Sequence, residues 1–228
     1  MSGNVTPLRI ALPSGKSISA LLRAPSSSNA CFVLAHGAGA GMNHPFMSDL
    51  AKALGMRGIA TLRFQFPYME EGSRRPDAPA VAHEAIRAGC KEAATRLPGV
   101  PLFAGGKSFG ARMTSQAQAR DTLGDVRGLV FVGFPLHPSG KPSTTRAEHL
   151  SQVTIPMLFL QGTRDAFADL SLIRDCTDSL GGRATLRIIE GVDHAFHVLV
   201  RSGRTDAEVI DELADVTRSW IDKVLPLK

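Results

Sequence analysis

Apolar and polar residues first alternate along the chain with period two. Leu8, Ile10 and Leu12 share one face, Pro13-Ser14-Gly15 makes a turn, and Ile18, Ala20 and Leu22 resume the alternation. This pattern predicts an antiparallel hairpin. After Pro25-Ser26-Ser27-Ser28-Asn29 the alternation stops, and Cys31 to Ala35 is a short continuous apolar run. Such a run fits a strand covered on both faces. Ile59 to Phe64, Pro101 to Ala104, Leu129 to Phe134 and Met157 to Leu160 repeat it, and Ala184 to Ile189 is a further run diluted by polar residues. Between the runs the period lengthens. Phe46 to Met56 carries Leu50, Ala53 and Leu54 at helical spacing, and Val81 to Leu97 aligns Ala82, Ile86, Cys90, Ala93 and Leu97 on one stripe. Thr205-Asp206-Ala207-Glu208 reads as a capping box, followed by a helix with Val209, Leu213, Val216, Trp220 and Val224. Strands alternating with helices predict a mostly parallel α/β sheet.

Composition narrows this picture. With 228 residues, 43% hydrophobic and 21% charged, the chain fits one globular domain over 1–228 and excludes disorder, collagen and coiled coil. Cys31, Cys90 and Cys176 have no metal-ligand spacing, so neither a disulfide framework nor a zinc site is expected. The start of the chain lacks a signal-peptide pattern, and no apolar stretch is long enough to span a membrane. A soluble, cytoplasmic protein is the expectation. The net charge of +5 comes from scattered residues without a basic run. Nucleic acid is therefore not an expected partner, and attraction for an anionic substrate is the better use of the charge.

Two glycine-rich segments mimic nucleotide sites. Gly106-Lys107-Ser108 resembles the end of a phosphate loop, but Pro101 stands where that loop needs its first glycine. Gly37-Ala38-Gly39-Ala40-Gly41 follows a strand, yet Met42 takes the place of the last glycine in a dinucleotide fingerprint. Arg63 ends the next strand where an acidic ribose partner is usual; an arginine there suits only a phosphorylated cofactor. No cofactor and no metal are expected.

The chemistry lies elsewhere. Gly106-Lys107-Ser108-Phe109-Gly110 matches GxSxG between a strand and the helix-permissive stretch Ala111 to Ala117. At a sharp strand-to-helix turn, Gly106 and Gly110 remove side chains that would clash, and Ser108 points up from the sheet edge. A serine hydroxyl needs a base, and the base needs an orienting partner. His194 and Asp165 each follow a predicted strand through a short loop, on the edge where Ser108 emerges. The Ala38 and Phe109 amides are the candidate oxyanion donors, with His36 and Gly37 supporting the first of them. Of the rival acids, Asp169 is expected inside the following helix and Asp193 is expected to face solvent or a loop amide. His197 is expected to lie beyond reach of Ser108. Lys107 and His137 are the candidate substrate contacts. Arg74, Arg75, Arg112 and Lys141 are further basic residues, better read as solvated surface charges.

These motifs carry a resemblance. The order Ser108, Asp165, His194, with HGAGAG, GGKSFGAR, GTRDAF and GVDHAF, resembles the α/β-hydrolase fold superfamily over essentially the whole chain. Within it the chain is similar to the small branch of testis-expressed protein 30 and NSL-complex subunit 3 homologues, whose bacterial members are labelled dienelactone-hydrolase-like; Arg63 to Tyr68 and Phe134 to His137 fit that branch. The resemblance implies an α/β-hydrolase fold: a mostly parallel sheet of eight-stranded type with helices on both faces and an N-terminal antiparallel hairpin. It implies a serine hydrolase acting on an ester, thioester or related acyl bond. True dienelactone hydrolases use cysteine as nucleophile, so Ser108 argues against that specific activity. Lids of this fold enter after the sixth strand, where only Pro135 to Ser151 is available, too short for a cap domain. An uncovered site is expected. The alternative function is a binding or scaffold module built on the same fold, against which the complete set of catalytic groups argues.

Overall fold

The structure, a computed structural model, describes residues 3–225. The period-two segments form β1 (Asn4–Ala11) and β2 (Ser17–Ala24), joined by the predicted turn and paired antiparallel from Asn4↔Ala24 to Ala11↔Ser17. The continuous apolar runs form β3 (Ala30–Ala35), β4 (Ile59–Phe64), β5 (Leu102–Lys107), β6 (Val126–Val132) and β7 (Met157–Gly162). The weaker run forms β8 (Ala184–Ile189) at the sheet edge. Every residue of β3, β4 and β7 is buried, as a strand sandwiched between helical layers demands.

The strands make one eight-stranded sheet in the order β1-β2-β4-β3-β5-β6-β7-β8. From β4 to β8 all pairings are parallel. Chain progression reverses between β3 and β5, which pair from Cys31↔Leu102 to Ala35↔Gly106. Such a switch point opens a crevice at the carboxyl ends of the strands.

Helices cover both faces. On one side α3 (Pro79–Arg96) and α4 (Phe109–Arg120) bury Ile86, Cys90 and Met113 against Val33, Leu62, Phe64 and Phe131. On the other, α1 (Pro45–Met56) and α6 (Asp206–Val224) bury Leu50, Leu54, Leu213 and Trp220 against Phe32, Leu34, Phe103 and Leu158. Alternate strand residues therefore feed alternate cores. Each large side chain so buried contributes about 1.5–3 kcal/mol, which fixes the register of every strand. Trp220 packs edge-on to Phe103, with ring centroids 5.8 Å apart, as its place on the apolar stripe implied. The capping box at Thr205 and Glu208 is present. Two shorter helices, α2 (Pro67–Glu70) and α5 (Leu170–Ser179), complete the set.

Several boundaries differ from the sequence reading, among them that of β6, which runs Val126–Val132 instead of Leu129 to Phe134. β5 does not stop before its glycines but continues through Gly105 and Gly106 to Lys107, because neighbouring backbones crowd it. A Cβ on Gly105 would lie 1.9 Å from the Val130 carbonyl oxygen, so glycine permits the strand to continue. Asp169 is not inside α5 but caps it, its carboxylate accepting from the Ser171 and Leu172 amides. The segment between β6 and β7 holds only a 3₁₀ helix, Thr145–Gln152, which packs on α4; there is no separate cap domain.

Candidate active site

Ser108 sits between β5 and α4 with φ 50° and ψ −108°, a conformation that L residues rarely adopt. Holding a residue there costs about 1–3 kcal/mol, so the surroundings must over-determine it. They do so through one carbonyl. A Cβ at Gly106 would lie 2.2 Å from the Ala35 oxygen and one at Gly110 2.5 Å from it. Glycine on both sides lets the turn close onto the end of β3. The Ser108 amide donates to the Val132 carbonyl, anchoring the turn to β6 as well.

His194 and Asp165 meet Ser108 from the ends of β8 and β7. The Ser108 hydroxyl donates to His194 Nε2 (2.8 Å), and His194 Nδ1 donates to Asp165 Oδ2 (2.7 Å). An ionised carboxylate only accepts, which places the imidazole proton on Nδ1 and leaves Nε2 free to take one. The Asp165 side chain is fully buried. Its Oδ2 also accepts from Gln161 Nε2 (2.5 Å) and its Oδ1 from the Phe167 amide (2.8 Å). The Phe167 ring packs on the imidazole, centroids 4.5 Å apart, and Gly133 borders it on the β6 side, where a Cβ would stand 3.5 Å from His194 Cε1 and Nδ1.

The loop after β3 is built by the segment after β4. His36 Nε2 accepts from the Phe66 amide (3.0 Å), Gln65 Oε1 from Met42 (2.8 Å), and the Tyr68 hydroxyl from Gly39 (3.1 Å). Burial lowers the His36 pKa to about 4, so the ring is neutral and serves as a brace. Arg63 is buried and donates to the Met42 carbonyl and Ser48 Oγ, which fastens the loop. Gly37 and Ala38 line the same cleft as Ser108. The Phe109 amide is the first of α4 and one of the helix donors whose acceptor must come from outside the helix.

The cleft encloses about 1000 Å³. Its walls are mainly apolar, including Phe46, Met47, Phe167, Phe196 and Ile210, with Lys107, Arg164 and His197 among its polar groups. Lys107 is half-buried; burial lowers its pKa to about 8, with Asp165 and Asp193 pulling the other way. No residue between β6 and β7 lines the cleft. His137 is not brought to it. That ring is buried, its Nε2 accepts from the Asp169 amide (3.0 Å), and it pins the start of α5. Arg74, Arg75, Arg112 and Lys141 do not line the cleft either. Asp193 accepts from the Ala195 and His197 amides, the loop-amide role expected of it. His197 is turned to Asp206 (2.5 Å).

Sequence reasoning passed over Gln161, Phe167, Phe196 and Gly133. Gln161 had a signal, a polar residue closing an apolar run; the others act through rings and backbone that only the fold brings together.

A second serine–histidine contact joins Ser115 and His149 (2.7 Å), on α4 and the 3₁₀ helix. Ser115 is fully buried and also donates to the Arg112 carbonyl, and no carboxylate is hydrogen-bonded to His149 among the described residues. Burial, with Arg112 and His83 nearby, lowers the His149 pKa to about 4. It lacks the access and the orienting acid of the Ser108 arrangement.

A family model described as an alpha/beta hydrolase domain matches residues 28–222. Among solved structures, the chain is similar to a Xanthomonas campestris protein described as a serine hydrolase without a lid, at 22% identity and a TM-score of 0.76, covering 99% of this chain and 97% of that one. It is similar to a dienelactone hydrolase from Anabaena variabilis at 18% identity and a TM-score of 0.77, covering 99% and 100%. An alpha-beta serine hydrolase homologue from Coxiella burnetii is 19% identical with a TM-score of 0.74, covering 95% and 97%.

Proposed function

The chain belongs to the alpha/beta hydrolase domain family, and from that premise we propose that it is a serine hydrolase acting on an ester, thioester or related acyl bond. The observation that carries this reading is the hydrogen-bonded series from Asp165 through His194 to Ser108 at the floor of an open cleft. Ser108 Oγ attacks the substrate carbonyl as His194 Nε2 takes its proton. Asp165 holds the ring in the required tautomer and stabilises the imidazolium. The Ala38 and Phe109 amides receive the oxyanion, each such donor being worth about 2.7–4 kcal/mol of barrier. Collapse of the tetrahedral intermediate breaks the bond to the leaving group, which departs with the proton from His194 and leaves an acyl-Ser108 ester. Water, deprotonated by His194, then releases the acid and restores the serine.

The mainly apolar walls favour a small-molecule acyl substrate, and the whole chain, 1–228, serves as one catalytic domain. The serine nucleophile sets it apart from cysteine-dependent dienelactone cleavage. Turnover of short p-nitrophenyl esters tests the reading. Ser108→Ala is expected to lower kcat by about 10³-fold or more while retaining the fold; an Ser108→Ala variant as active as the wild type would refute it.

A further inference from the structure

Lys107 fills the variable position of the GxSxG turn and is the last residue of β5, so its stem leaves the sheet beside Ser108. The stem lies over the backbone of the oxyanion loop: a Cβ on Gly37 would sit 3.5 Å from Lys107 Cγ. Its head crosses to the opposite wall. Nζ donates to the backbone carbonyl of His194 and stands 4.9 Å from the centroid of the Phe196 ring and 5.5 Å from that of Phe46. One side chain thus touches the nucleophile turn, the oxyanion loop, the histidine loop and α1.

The histidine loop is fastened on its other sides. Between β8 and α6 it holds the Val192–Val198 bridge, the short 3₁₀ turn Val200–Ser202 and the knot that Asp193 makes with the Ala195 and His197 amides, and it is tied to the segment after β7 by the Arg164 amide on the Val192 carbonyl and to α6 by the Val198 amide on Asp206. Toward the elbow it is linked by the Ser108–His194 hydrogen bond and by Lys107. Phe196, two residues past His194, has φ 67°, a left-handed conformation that its neighbours must maintain. An ammonium over its ring face and a hydrogen bond to the His194 carbonyl hold both residues, since a cation is attracted to an aromatic face and also donates.

We propose that Lys107 is a positioning residue, whose ammonium clamps the His194 carbonyl and holds the general base in register with Ser108. This rests on the reading of Ser108 and His194 as nucleophile and base. It departs from the sequence expectation of a substrate contact, because the head is engaged by the protein's own carbonyl and rings. The two roles separate in kinetics. A clamp acts on kcat for every substrate, whereas a substrate contact acts on KM for the substrates that carry its partner.

The test uses the full chain with Lys107→Met, which keeps the stem and loses the donor, and Lys107→Arg, which keeps charge and donor. Each is assayed with p-nitrophenyl acetate and with a p-nitrophenyl ester whose acyl chain ends in a carboxylate. Lys107→Met is expected to lower kcat about 10- to 100-fold for both esters, as sub-ångström to ångström misplacement of a reacting group does, with KM within about threefold. Fluorophosphonate labelling of Ser108 is expected to slow in parallel, and Lys107→Arg to recover most of the rate. Lys107→Leu, which likewise has no donor, replaces the methionine variant if thermal unfolding shows that the latter does not fold, with the same expected loss of kcat. An unchanged kcat, or a KM increase confined to the carboxylate ester, overturns the clamp. A wild-type chain inert to ester and probe removes the hydrolase reading itself, and the clamp with it; a reactive wild type beside an unimpaired Lys107→Met removes the clamp alone.

Discussion

At the scale of single residues, the site depends on groups whose ionisation burial has set. His36 is the clearest. Its pKa is lowered from 6.5 to about 4 by burial, so between those values the unfolded chain holds a proton that the native chain gives up. Stability from this group is therefore complete above about pH 6.5 and is lost as pH falls towards 4. From about pH 7 to pH 5, His36 alone accounts for a fall of about 2 kcal/mol in unfolding free energy, with His149 acting in the same direction. Urea unfolding at the two pH values measures it; equal stabilities would contradict the neutral brace. Ser108, Asp165 and His194 were legible in the sequence because each stands in a short loop just past a recognisable strand. Gln161 and Phe167 were not, since their importance comes from a hydrogen bond and a ring contact to residues that a strand pattern does not place. His137 misled for the complementary reason. Exposure is not visible in a local pattern, and this histidine is buried at the start of α5 with the Asp169 amide as its donor.

At the scale of elements, four of the eight strands lead to the residues of the site. β3 ends at the loop that carries Gly37 and Ala38, β5 runs into Ser108, β7 leads to Asp165 and β8 to His194. α6 closes the face beneath the cleft, and its start contributes Asp206 to the cleft wall. Its N-terminus depends on the Thr205 side chain, which accepts from the Glu208 amide while Glu208 returns a bond to the Thr205 amide. Thr205→Ala is expected to cost about 1 kcal/mol in chemical denaturation with kcat within about twofold. A stability equal to the wild type would show that the cap is idle. Element type followed from periodicity because hydrophobic burial imposes it. Element ends followed less well: β5 runs on through its glycines because adjacent backbones approach too closely for any side chain, and α2, a single turn, is too short to carry a period.

At the scale of the molecule, the sheet order matters more than any one element. Reversal between β3 and β5 places the loop of Gly37 and Ala38 beside Ser108, and the short link from β6 to β7 leaves the cleft without a cap. Sequence length between predicted strands already implied the open site, whereas the order of strands required the fold. An uncapped site has no lid to displace. Hydrolysis of a short ester is therefore expected to follow simple saturation, with no increase in rate as substrate passes into micelles; a sharp rise at that concentration would point to a mobile cover. Among the described residues no helix is long and apolar enough to cross a membrane. Whether Ser108 is the activated nucleophile is decided by mass spectrometry of the intact chain after treatment with a fluorophosphonate. One adduct is expected, located by peptide mapping on Ser108 and missing from Ser108→Ala. An unlabelled wild-type chain, or an adduct carried by Ser115, would contradict it.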